Sequence, residues 1–162
     1  MTSAPRPGEK RKQRGAVALE FAFVFLFGML PLIMLTFTGV LVFAAQQSLT
    51  LAAAEGSRAA LRYGTTDAER TQKACDSASQ SMRWLLNFSG KTDACTAGTG
   101  IAPMTVQFAP CPSDGTIRCV SVTTAYDYDR HPFLPGTAGL FNLTFGAAGL
   151  RSIAVVQLEP NP

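Results

Sequence analysis

The chain has 162 residues, 47% of them apolar and 15% charged, with four cysteines and one histidine; that size holds one small domain and excludes a large multidomain enzyme. Of its 14 Lys and Arg, five (Arg6, Lys10, Arg11, Lys12, Arg14) fall in the first 15 residues against one acid, Glu9, which leaves 9 basic and 10 acidic residues for the remainder. No nucleic-acid partner is expected from that balance, because phosphate recognition needs a basic face on the folded part rather than on a short tail.

In chain order, the basic leader runs straight into an apolar segment. Ala16–Ala45 reads AVALEFAFVFLFGMLPLIMLTFTGVLVFAA, 30 residues of which 24 are apolar and one, Glu20, is charged. About 20 apolar residues cross the ~30 Å hydrocarbon layer as a helix, and helix is the only single segment that satisfies its own backbone hydrogen bonds in lipid. Residues 16–45 therefore predict a transmembrane helix in contact with membrane lipid, kinked at Pro31. Phe21, Phe23, Phe25 and Phe27 alternate as a strand would, but the membrane overrides that period. The cluster KRKQR before the span holds the N-terminus in the cytoplasm and sends the rest outward, a single pass with N-in/C-out topology and an extracytoplasmic C-terminal domain. A removable secretory signal shares this outline, although its apolar core is about half as long.

Glu20 is the anomaly of the span. An acid at the centre of a membrane helix costs about 2.5–3.5 kcal/mol on insertion scales and less near the edge, so it is a functional candidate. The alternative is a carboxylate that snorkels to the cytoplasmic headgroups.

The segment RKQRGAVALEF, a basic leader, Gly15, four small or apolar residues, Glu20 and Phe21, resembles the prepilin peptidase site of type IV pilins and pseudopilins. The resemblance implies cleavage between Gly15 and Ala16, loss of residues 1–15 and a mature chain whose fifth residue is Glu20, paired with the α-ammonium group of a neighbouring subunit. The physical logic agrees: glycine offers the protease an unhindered, non-helical stretch, and a carboxylate near a new N-terminus pairs well in low dielectric. The Glu-Phe pair, the phenylalanine-rich span and the following QQSLTLAAAEGSRAALRYG narrow the resemblance to the TadE-like minor pseudopilins of the tight-adherence (Tad/Flp) pilus system. VSVTTAYDYDRHPFLPG and SIAVVQLEP match that family's valine strand, Tyr-x-Tyr, proline loop and closing strand more loosely. It implies a pilin-like fold and a bacterial cytoplasmic membrane protein acting in pilus assembly, initiation or capping and in surface adherence. Its partners would be the prepilin peptidase, other pilin and pseudopilin subunits and the inner-membrane assembly platform, with Glu20 and Phe21 serving assembly. The competing reading is an uncleaved, signal-anchored envelope protein with an extracytoplasmic ligand- or surface-binding domain.

A helix over 16–63 would be 48 residues, about 72 Å long, so roughly half of it must project beyond the bilayer. Leu49, Ala52, Ala53, Gly56, Ala59, Ala60 and Tyr63 recur at three or four in that half, a small-residue stripe beside Arg58 and Arg62, and Gly64 is a C-cap. Within the outer domain, 64–162, Thr66-Asp67-Ala68-Glu69 forms a capping box that opens a second helix to about Phe88, with Ala68, Cys75, Ala78, Met82 and Leu85 on its apolar face and Gly90 closing it. Residues 91–103 read as loop. Met104, Val106 and Phe108, then Val120, Val122, Thr124, Tyr126 and Tyr128, alternate as the strands of a hairpin around Pro112-Ser-Asp-Gly-Thr, and Ile153–Leu158 is a third strand. A loop from His131 to Gly149, with a helical turn near Leu140–Leu143, joins them. The fold class is α+β: a long N-terminal helix, a second helix and a small antiparallel sheet of three or four strands.

Cys75, Cys95, Cys111 and Cys119 all follow the span, in the compartment expected to be oxidising, which predicts two disulfides with four buried thiols as the alternative. Three pairings are possible; Cys111 with Cys119 bridges the mouth of the hairpin loop and leaves Cys75 with Cys95. Their spacings of 20, 16 and 8 contain neither a C-x-x-C redox pair nor the short pairs of zinc sites. His131 has no histidine partner, and no Gly-rich nucleotide loop occurs. Asp127 and Asp129, with Asp114, are a calcium candidate, against the plainer reading of a strand's wet face. Trp84 reads as core or, if exposed, as a partner contact. No nucleophile and base can be named for an anchored hydrolase, so no catalytic residue, metal or cofactor is assigned.

Overall fold

A computed structural model describes residues 9–62, 64–95, 101–112, 115–145 and 149–158; Arg6, Tyr63, Asp114 and Glu159 lie outside them. The chain divides into two compact units, residues 1–40 and 41–162.

The first unit holds α1 (Glu9–Val24), a π turn (Phe25–Met29) and the start of α2 (Leu30–Arg62). The helix already runs through Glu9–Arg14, ahead of the expected start at Ala16, because Glu, Lys, Arg and Gln are good helix formers. Pro31 lacks an N–H and crowds the carbonyl four residues back. The ladder answers one turn earlier than the expected kink, with a π turn in which the Leu30 N–H donates to the Phe25 carbonyl. Helical geometry turns the alternating phenylalanines into two i,i+4 pairs, Phe21 on Phe25 at 6.4 Å and Phe23 on Phe27 at 6.0 Å between ring centroids. No residue from 15 to 40 is buried.

The second unit contains the rest of α2, then α3 (Asp67–Ser81), α4 (Arg83–Phe88), β1 (Met104–Pro110), β2 (Arg118–Tyr126), α5 (Ala138–Phe145) and β3 (Leu150–Gln157). Along α2, Ala45, Leu49, Ala52, Ala53, Gly56, Ser57 and Ala60 are buried, the stripe that the spacing predicts, while Ala59 is half-buried. The stripe is small because other elements approach closely: a Cβ on Gly56 would stand 3.2 Å from Met104 Cε and 3.3 Å from the Ala74 carbonyl. After α2, Gly64 turns the chain at φ +114°, a left-handed conformation that glycine adopts without strain.

α3 starts on the capping box. Thr66 Oγ1 accepts from the Glu69 N–H at 3.3 Å, and Glu69 Oε2 accepts from the Thr65 N–H at 3.0 Å, one residue before the N-cap. Those bonds, the Thr65 amide first, hold the Glu69 carboxyl below its usual pKa. The expected second helix breaks at buried Met82 into α3 and α4. Cys75, Ala78, Met82 and Leu85 are buried as expected, but Ala68 is exposed and Ala74 is buried instead. Packing on α2 begins beyond Ala68, at Arg70, whose guanidinium donates to the Ala60 carbonyl at 2.9 Å.

The three strands among the described residues form one antiparallel sheet in the order β1-β2-β3. Val106 pairs with Val122 and Val122 with Ala154, so Val106, Val120, Val122, Ala154 and Val156 share one face, while Ile153 and Val155 of β3 are exposed on the other. The first face, through Val120, Val122, Thr124 and Tyr126, closes the core against α2, α3 and α4. Thr124, fully buried, is satisfied by donating from Oγ1 to the Leu49 carbonyl at 2.9 Å. β2 ends at Tyr126, two residues before the expected end. Tyr128 N–H donates to the Tyr126 carbonyl and His131 N–H to the Asp127 carbonyl, both at 3.1 Å, forming a turn. The turn folds Tyr128 into the core, fully buried, with its hydroxyl on Thr137 Oγ1 at 2.9 Å.

Candidate functional site

The residues that carry the sequence motif lie on α1. Gly15 and Ala16 are exposed and helical, so the unhindered, non-helical stretch expected at Gly15 is not the backbone seen. Glycine costs about 1 kcal/mol relative to alanine in a helix interior, which favours local opening of the helix at Gly15. A Cβ at that position would meet nothing within 4 Å.

Glu20, one turn on, is exposed among Leu19, Phe21 and Phe23, which are 55–70% accessible. Among the described residues no side chain pairs with it. The helix from Gly15 to Arg62 is long and apolar enough to cross a membrane, and none of its most apolar stretch is buried. An apolar surface of that length is stable only when lipid or other protein covers it.

No family model, curated protein or solved structure matches this chain.

In the second unit the cysteines form two disulfides, Cys75 to Cys95 with Cα atoms 5.8 Å apart and Cys111 to Cys119 with Cα atoms 5.0 Å apart. This is the pairing in which the hairpin cysteines bridge the loop mouth: Cys119 lies opposite Ala109, and the Cys111 N–H donates to the Ile117 carbonyl at 2.8 Å. The other bridge ties α3 to the segment after α4, where the Ala94 N–H donates to Ser79 Oγ at 3.0 Å. Two disulfides in one small unit are the chemistry of an oxidising compartment.

The acidic pair of YDYDRH departs from a strand's wet face because the chain turns there. Asp127 is mostly buried and pairs with Arg130 at 3.5 Å, while Asp129 is exposed. Among the described residues no three His, Cys, Asp or Glu gather as a metal site would require. His131 lends its backbone carbonyl to the Tyr126 hydroxyl at 2.7 Å. Burial first, then the neighbouring Tyr128 and Asp127, pushes the Tyr126 pKa upward, so the phenol remains a donor. The recess beside this turn, between Met82, Leu86 and Tyr126, holds about 10 Å³, room for one water.

One constellation escaped the sequence reading. Phe133 stands at the centre of an aromatic cluster with Trp84 (5.8 Å), Phe88 (5.4 Å), Tyr126 (5.3 Å) and Tyr128 (5.4 Å). Trp84 is neither core nor free: it is 39% exposed and donates from Nε1 to Ser48 Oγ at 2.8 Å. The uncharged run 132–145, unusual for a surface loop, was the available signal.

Proposed function

We propose that this protein is a TadE-like minor pseudopilin, cut by a prepilin peptidase between Gly15 and Ala16, that assembles laterally in the cytoplasmic membrane to initiate, join or cap a thin surface filament. The observation that carries the reading is Glu20, the lone charge of the apolar run 16–45 and exposed in a stretch with no buried residue from 15 to 40, five residues after a glycine that follows a basic leader. Hydrolysis of the Gly15–Ala16 bond leaves a carboxylate on Gly15 and an ammonium on Ala16. The leader departs with five cations, and the Ala16 ammonium meets the Glu20 carboxylate of a neighbouring subunit in low dielectric. Ala16 to Ala45 then packs against other pilin helices, with Phe21 at the contact, while the disulfide-tied α+β unit, outside the membrane, meets partner subunits and the assembly platform. The chain performs no chemistry of its own in this role.

The helical backbone through Gly15 favours the second reading, an uncleaved signal anchor carrying an extracytoplasmic binding domain. Intact mass and N-terminal sequence, measured with and without the cognate peptidase, separate the two. A chain beginning Ala16-Val17-Ala18-Leu19-Glu20 only when the peptidase is present, and blocked in Gly15→Val, is the expected result. A chain that keeps residues 1–15 under both conditions overturns the pseudopilin reading.

A further inference from the structure

We propose that the end of the second unit built from α4, the turn at 127–137 and α5 rests on the outer surface of the membrane that the apolar helix crosses, with Trp84 and Phe88 seated among anionic lipid headgroups. The proposal rests on the membrane-spanning reading of the helix and not on pilus membership.

Contacts along α2 order the second unit from its membrane end outward. Val42 and Ala45, still within the apolar run, pack in or against the unit's core. Gln46 Nε2 donates to the Arg151 carbonyl at 2.8 Å, Trp84 reaches Ser48, Ser77 Oγ donates to the Glu55 carbonyl at 3.4 Å, and Arg70 reaches Ala60. α3 therefore descends antiparallel to α2, and α4 closes the low end. The indole N–H of Trp84 stands level with Ser48, three residues or about 4.5 Å beyond the last residue of the apolar run, Ala45. The headgroup layer is about 5–8 Å deep on each side.

The chemistry of that end fits a bilayer surface. Trp84 at 39% and Phe88 at 50% exposure are the large aromatic surface of α4, Trp84 stacked on Phe133 and Phe88 tilted against it. An indole with an apolar body and a bonded N–H is the side chain that interfacial belts select. Residues 132–145 carry no charge, and Phe141 joins α5 to the cluster through Tyr128 at 4.3 Å. Exposed Arg83, Arg130 and Arg151 rim the region against two acids, Asp127 and Asp129, of which Asp127 is paired with Arg130. The surplus is positive, complementary to anionic headgroups.

Trp84 is the single tryptophan of the chain, so the full-length protein reports on itself. In vesicles of phosphatidylethanolamine and phosphatidylglycerol, lipid brominated near the headgroup should cut Trp84 emission by about half, and lipid brominated near the chain ends much less. Replacing phosphatidylglycerol by phosphatidylcholine should weaken the shallow quenching; no change would overturn the anionic part of the proposal. A second variant, Phe37→Trp in a Trp84→Phe background, reports on the span and should be quenched by the deep label. Deep quenching of that variant with Trp84 open to aqueous iodide and untouched by lipid would overturn the inference and leave the span standing. Absence of lipid quenching in both would overturn the span and the inference together. Trp84 shielded from iodide and from lipid, and uncovered on diluting protein into excess lipid, would overturn it in favour of a protein partner.

Discussion

Leu35 and Leu49 lie on the same helix, α2, and meet opposite fates: Leu35 is 68% exposed and Leu49 is completely buried. The first belongs to a unit with no buried residue from 15 to 40, the second to a unit whose own sheet and helices cover it. Apolar content alone does not make a core. In the first unit the apolar residues run all round the helix, which suits a surrounding solvent of lipid; in the second they fall on one stripe, which suits a protein neighbour. The stability of the first unit therefore depends on its solvent, and that of the second on its contacts.

The sharpest way to break this contrast is a matched pair of truncations followed by thermal unfolding of the detergent-solubilised chain in near-UV circular dichroism. Leu49→Ala should destabilise the second unit by about 3 kcal/mol, and Leu35→Ala should leave it within about 0.5 kcal/mol. Equal effects would show that the two halves of α2 do not differ in kind. Next come the disulfides, whose loops of 20 and 8 residues give about 3 and about 2.5 kcal/mol in the chain-entropy account. Replacing Cys75 and Cys95 by Ser should lower the melting temperature more than replacing Cys111 and Cys119, and the reverse order would mean that loop length does not govern them.

The capping box gives a smaller, pH-dependent effect. Glu69 is held below its ordinary value of 4.5 by the Thr65 bonds, so its contribution is fully present above that value and fades as pH falls through the depressed one. Between about pH 5 and pH 3, Glu69→Gln should flatten part of the acid loss of stability; an unchanged acid limb would remove the box from the account. Smallest in stability is Glu20→Ala, which the pseudopilin proposal expects to leave insertion and the second unit unaltered while weakening assembly with pilin subunits. Normal pilus formation by that variant would count against a docking role.

Much of this organisation was legible in the residues. The apolar run, the spacing of Leu49 to Ala60, the Thr66–Glu69 box and the alternation of Met104, Val106 and Phe108 and of Val120, Val122 and Thr124 are local signals, and period is what a backbone converts directly into helix face and strand face. The motif from Gly15 to Glu20 was equally visible, although the residues alone suggested an open backbone where the structure has helix. Other features have no local cause. Ala68 and Ala74 are the same residue type on one helix, and only the height at which α3 meets α2 decided which was buried. Tyr128 reaches the inward side that the alternation expects, but through a turn at Asp127 rather than as a continuation of β2, and Thr137 satisfies its hydroxyl.

What the sequence by itself determined, then, was composition and period: a membrane-length helix with one carboxylate, a second helix with its start, and three strands, the first two with their inward faces. Only the tertiary structure decided that Cys75 meets Cys95 and that Trp84 reaches Ser48 across 36 residues. It also gathered five aromatic rings at Phe133 and broke the second helix at Met82. Local interactions set the choice between helix and strand within a few residues, whereas these contacts depend on where distant elements pack, and no short window of sequence contains both partners.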